Sequence, residues 1–161
     1  QGELAPWPAP AIFGKHDFAG NAAKFLAELE GFWKWFKDEY NIESNQVYLC
    51  GYSLAGLFTL WASTHTNTFQ KIAAVSPSVW FLNFVQYMQQ NQVHASEVYM
   101  SLGDKEANAK NKVMATVKAC FDAVIQNLQK QDIQLTYEYN PGNHFQDVEL
   151  RMTKGIRQLL L

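Results

Sequence analysis

Cysteine is scarce in this chain: its 161 residues include two, Cys50 and Cys120. Two thiols so far apart make neither a disulfide framework nor a zinc-ligand cluster, so no metal site is expected. Both are expected to be buried free thiols, which suits a reducing, cytoplasmic compartment. Charge is also low. Asp, Glu, Lys and Arg make up 17% of the chain, the net charge is −2 at pH 7, and no run of like charges occurs. That argues against a nucleic-acid surface and against a polybasic membrane patch. No apolar stretch approaches the roughly 20 residues that span a bilayer. No leader peptide is visible, although the sequence opens abruptly at Gln1 and leaves a removed leader open. Internal repeats and low-complexity segments are missing as well.

What is present is a globular composition, 48% hydrophobic and 14% aromatic, long enough for one domain over residues 1–161 with a real core. Prolines at positions 6, 8 and 10 forbid a regular helix or central strand in the first twenty or so residues. An ordered loop anchored by Trp7 and Phe13 is expected there. From Asn21 to Tyr40 apolar residues recur at helical spacing. Phe25, Leu29, Phe32 and Phe36 form a stripe that Leu26, Trp33 and Tyr40 widen, and its rings are expected in the core.

Beyond that helix, strands and helices alternate. Strands are expected over Gln46–Cys50, Ile72–Val75, Glu97–Leu102 and Ile133–Tyr139. Helices are expected over Ala55–Ser63, Phe84–Gln90, Asn111–Lys130 and Val148–Leu160. Such alternation predicts an α/β fold, a mostly parallel sheet with helices on both faces and right-handed crossovers.

Polar residues collect after the strands. Ser53 follows the first, Ser76, Ser78 and Trp80 the second, Asp104 and Glu106 the third, and His144 the fourth. In an open parallel sheet these loops share the carboxyl edge, where ligands bind. Serine, carboxylate and histidine also stand in the chain order of the α/β-hydrolases. Ser53 lies in Gly51-Tyr52-Ser53-Leu54-Ala55, between an apolar strand and a helix. A nucleophile on so sharp a turn needs small residues two before and two after it, and Gly51 and Ala55 fill those places. The Leu54 N–H would face an oxyanion at the helix N-terminus. By composition such a five-residue pattern arises by chance in roughly one chain in ten of this length, so its context carries the weight. His144 is the only histidine in a carboxyl-edge loop after the carboxylates, which makes it the candidate general base. Asp104 and Glu106 share one loop, and the residues alone do not choose between them. The rings of Ser76-Pro77-Ser78-Val79-Trp80-Phe81 suit either an acyl pocket or an aromatic cap on the core.

Four segments, G-Y-S-L-A-G-L-F, S-P-S-V-W-F, S-L-G-D-K-E and N-P-G-N-H-F, together resemble the α/β-hydrolase esterase family that includes esterase D-like proteins and siderophore trilactone esterases. The resemblance covers nearly the whole chain. It implies Ser53 as nucleophile, His144 as base and Leu54 as an oxyanion donor. It places the acid three residues after Gly103, on Glu106, with Asp104 as the fallback; some siderophore esterases work with a Ser–His dyad. It implies a serine esterase of bacterial type that acts on a small-molecule ester without a cofactor. Trp7 and Trp80 would touch an apolar or aromatic acyl group. Family members carry several strands ahead of the segment where this sequence begins, and a second oxyanion donor comes from a loop there. The expectation is therefore a fold lacking its N-terminal strands, with an exposed sheet edge open to homo-oligomeric pairing. Two other readings share these residues: a non-catalytic binding module using the same cleft, and an acyltransferase.

Overall fold

A computed structural model describes residues 2–12 and 14–161 of the chain. The expected anchor at Phe13 lies outside the described residues. Two short strands, β1 (Pro8–Ala9) and β2 (Phe18–Ala19), pair antiparallel in the opening segment, where only a plain loop was expected. Two residues suffice for a bridge, and a proline is tolerated in so short an edge. Helix α1 (Ala22–Tyr40) follows.

Strand β3 (Tyr48–Tyr52) enters the main sheet, and helix α2 (Leu54–Ser63) leaves it. Then come β4 (Lys71–Val75), α3 (Phe84–Gln90), β5 (Glu97–Gly103), α4 (Val117–Leu128), β6 (Gln134–Asn140) and α5 (Val148–Leu160). The four strands pair in parallel in the order β3-β4-β5-β6. Among the described residues β3 and β6 are its edges. Side chains alternate across a strand, and β4 shows both faces covered. Ile72 and Ala74 join the larger core with α2 and α4, while Ala73 and Val75 pack under α5 with Tyr99 and Leu159. Burial on both faces explains why β4 reads as a nearly continuous apolar run. Gly155 lets α5 lie close, because a Cβ there would meet a Val75 methyl at 2.9 Å.

Three expectations need correction. The expected stripe of α1 is core only at its start: Leu26 is buried and Phe25 and Leu29 pack against the core, while Phe32 and Tyr40 are exposed. Its first turns make the contact with α2, through Phe25 and Phe58 at 5.1 Å between centroids. Its later rings pack on one another instead, as Phe36 does on Tyr40 at 4.7 Å. The long helix expected from Asn111 begins as a helix only at Val117, behind a 3₁₀ turn at Met114–Thr116. The Asn111 side chain explains the delay. Its Oδ1 accepts the N–H groups of Val113 and Met114, and its Nδ2 donates to the Ile12 carbonyl, which favours a turn over a helix start. The two cysteines are free but only half-buried. Burial still pushes the Cys50 thiol up to about 11. Among the described residues no helix is long and apolar enough to cross a membrane.

Candidate active site

Strand β3 ends one residue before Ser53 and α2 begins one residue after it, so Ser53 is the whole connection. Its backbone stands at φ 59°, ψ −120°, a region that costs a non-glycine residue about 1–3 kcal/mol. Hydrogen bonds hold it there. Its N–H donates to the Val75 carbonyl at 3.1 Å, and its own carbonyl accepts from Leu57 and Ser78, both at 3.0 Å. Gly51 makes room for the turn, since a Cβ there would lie 2.2 Å from the Ala55 carbonyl oxygen. Leu54 opens α2, so its N–H belongs to the first turn, whose donors have no acceptor within the helix.

The loops after β5 and β6 bring the other groups to Ser53. His144 Nε2 is 3.0 Å from Ser53 Oγ, and His144 Nδ1 is 2.8 Å from Glu106 Oε2. A carboxylate can only accept, so Nδ1–H donates to Glu106 and Nε2 is left to accept from the serine hydroxyl. The Glu106 side chain is 3% exposed against 20% for His144, so the acid is sealed while the imidazole edge stays open to a ligand. Burial pushes the Glu106 carboxyl up. Hydrogen bonds from His144, Ser76 and the Gly103 N–H, with the His144 charge, outweigh it and hold the carboxyl below its ordinary value.

Asp104 does other work. It is exposed, and its Oδ1 accepts the Gly142 N–H at 2.8 Å. With the Lys105 N–H donating to the Gly142 carbonyl at 3.1 Å, this ties the acid loop to the histidine loop. Of the two carboxylates left open by the sequence, Glu106 is the one that touches His144.

Trp80 is buried and lines a cavity beside Glu106 and His144. Trp7 does not line that cavity, contrary to its expected place in a substrate site. Its indole N–H donates to the Leu82 carbonyl at 3.0 Å, and its ring packs on Tyr87 at 5.3 Å and Phe81 at 5.8 Å. Trp7 fastens the opening segment to the α3 side of the core.

Sequence reasoning missed two groups, Arg151 and Tyr52. Arg151, on α5, is 1% exposed and reaches Glu106 Oε1 at 3.2 Å, the Pro141 carbonyl at 2.8 Å and Ser76 Oγ at 3.3 Å. The sequence carries no clear signal for it: Arg151 is buried with Gly155 and Leu159, four apart on α5, and those three positions hold only one large apolar side chain. Tyr52, the residue before the serine, donates its O–H to the His144 carbonyl. Ser78, expected at this edge, places its Oγ 3.4 Å from Ser53 Oγ.

Comparison with known proteins agrees with this architecture. The prolyl oligopeptidase family matches residues 22–128. No curated protein sequence matches the chain. Among solved structures, the siderophore hydrolase EstA from Aspergillus nidulans superposes with a TM-score of 0.76 at 18% identity, over 98% of this chain and 64% of EstA. The enterobactin esterase FES from Shigella flexneri, solved in the presence of 2,3-di-hydroxy-N-benzoyl-glycine, gives 0.68 at 15% identity, over 88% of this chain and 38% of FES. The acylaminoacyl peptidase from Pyrococcus horikoshii gives 0.56 at 10% identity, over 94% of this chain and 30% of the peptidase. The chain thus spans less than two thirds of the length of each of these proteins, and identities this low speak to the fold alone.

Proposed function

The chain belongs to the prolyl oligopeptidase family, and from that premise we propose that it is a serine hydrolase that cleaves carboxylic esters through Ser53, His144 and Glu106. The observation that carries this reading is the unbroken hydrogen-bond chain, 3.0 Å from Ser53 Oγ to His144 Nε2 and 2.8 Å from His144 Nδ1 to Glu106 Oε2. The likeness in fold to a siderophore hydrolase and an enterobactin esterase supports an ester as the substrate class. In this reading residues 1–161 act as one α/β-hydrolase unit.

The proposed reaction uses these contacts as follows. Ser53 Oγ bonds to the acyl carbon as its proton passes to His144 Nε2. Glu106 holds the ring with Nε2 facing the serine and stabilises the imidazolium that forms. The tetrahedral oxyanion meets the Leu54 N–H. The bond to the alcohol oxygen then breaks as His144 returns the proton to it, leaving an acyl-serine. Water repeats the sequence, giving its proton to His144 and its oxygen to the acyl carbon, and Ser53 leaves protonated. These three side chains balance every proton.

The test is covalent. A fluorophosphonate probe should add once, at Ser53, as read by intact mass and peptide mapping. Ser53→Ala should remove both the label and ester hydrolysis while leaving urea stability within about 0.5 kcal/mol of the parent, since alanine keeps the Cβ and the same backbone strain. His144→Ala should be nearly as damaging to labelling. Label found elsewhere, or hydrolysis retained by Ser53→Ala, would overturn the reading. Family membership and the likeness to an acylaminoacyl peptidase favour a second reading, in which the same groups cleave an amide. A matched pair of an ester and an anilide with one acyl group separates the two.

A further inference from the structure

The cavity beside His144 has a volume of about 530 Å³. Its apolar lining includes Trp80, Met114, Val117 and Phe145, and its polar lining includes Lys105 and Lys110. Both lysines are exposed. The ion pairs among the described residues engage Lys24, Lys71, Lys118, Lys154, Arg151 and His144, and neither cavity lysine. The single carboxylate in the lining, Glu106, is already committed. Its Oε1 accepts from the Gly103 N–H and Arg151, and its Oε2 from His144. The uncompensated charge of the cavity is therefore positive, and it stands over apolar walls.

A site of this kind favours a ligand with an apolar body and an anionic end. We propose that the ester cleaved at Ser53 carries a carboxylate at the far end of an apolar or aryl segment. The segment fills the cavity against Trp80 and Phe145, and Lys105 and Lys110 hold the carboxylate. This rests on the hydrolase reading for the reaction but not for the binding.

The experiment uses two esters of one acid. The 4-nitrophenyl ester of 3-(4-carboxyphenyl)propanoic acid carries the free carboxylate, and its carboxyl methyl ester does not. The free carboxylate should raise kcat/KM about tenfold, the ratio that two exposed charge contacts supply together, and the advantage should shrink as NaCl is raised. The Lys105→Ala/Lys110→Ala double variant should bring the ratio of the two rates close to one, and Lys105→Glu/Lys110→Glu should invert it. Equal rates for the two esters on the parent chain would refute the anion site and leave the hydrolase standing. Binding is read separately, by calorimetry of the free diacid and its neutral diamide on Ser53→Ala. Diacid binding that the lysine variants abolish, with no turnover of either ester by the parent, would refute the role of Ser53 and keep the anion site. Neither binding nor a rate difference would refute the proposal outright.

Discussion

Replacing Arg151 with methionine would leave Glu106 buried without its guanidinium partner. The shape of the side chain is roughly kept, and the charge is lost. In the parent, Arg151 is 1% exposed and Glu106 3%, with 3.2 Å between them, so water cannot substitute for the lost contact. Removing one member of a buried pair costs about 3–5 kcal/mol, because the survivor stays charged and unpaired. The Pro141 carbonyl, which Arg151 also serves at 2.8 Å, adds about 1 kcal/mol. A domain has roughly 5–15 kcal/mol in all, so the variant should sit near the edge of folding and Arg151→Lys should be intermediate. The sign with pH follows from Glu106. Its folded carboxyl is held low, so in the parent it adds stability above the unfolded value of about 4.3, and that stability is lost as pH falls through the folded value. Arg151 donates to the charged carboxylate, so its loss disfavours that form, and the penalty should be full at pH 8 and shrink as the carboxyl protonates. Urea unfolding of both variants and the parent at pH 8 and pH 5 reads this directly. Adding Glu106→Gln to the methionine variant should recover part of the loss, since no buried charge is then left unpaired. A penalty below about 1 kcal/mol, in the range of an exposed pair, or one that does not change with pH, would refute the argument.

Gly51→Ala should collapse the turn that presents Ser53, because the new Cβ would stand 2.2 Å from a backbone oxygen that cannot swing away; loss of fluorophosphonate labelling with a lowered Tm is the expected result, and normal labelling would contradict it. Tyr52→Phe removes the O–H that holds the His144 carbonyl, so stability should fall by about 1 kcal/mol and kcat several-fold, both measurable on purified protein. Glu106→Gln should cut kcat far more than Asp104→Asn does, since only Glu106 meets the imidazole while Asp104 accepts from Gly142; equal losses in steady-state rates would sink that distinction.

Periodicity and chain order made much of this fold legible. The expected ranges of α3 and α5 coincide with the observed ones, and each expected strand lies within two residues of its observed end. Those elements are bounded by local chemistry that the sequence displays. The failures share a different cause. The rings of α1 have helical spacing whether or not another layer covers them, so amphipathicity alone could not say that Phe32 and Tyr40 stand in solvent. Asn111 has helical spacing, but its side chain takes the backbone N–H groups of Val113 and Met114 and makes a turn instead.

The site divides in the same way. The loops after β3, β5 and β6 were assigned to one edge from topology alone, and that brought Ser53, His144 and the acid loop into one neighbourhood. Choosing Glu106 over Asp104 from residues required the direction of two side chains in one turn, and no pattern encodes that. Trp7 divides: it anchors the opening segment as expected, but it does not line the cavity beside His144. A tryptophan in a proline-rich opening reads as a binding ring, yet its N–H and face are both taken up by the Leu82 carbonyl and the α3 aromatics. Arg151 is the most instructive omission, because which face of α5 is buried is set by its packing on the sheet, and Leu150, Ile156 and Leu160 of the same helix stay exposed. A charge placed there costs several kcal/mol unless it is paired. The partner it finds is the carboxylate that touches His144, so α5 is tied electrostatically to a site whose serine, Ser53, lies about a hundred residues earlier.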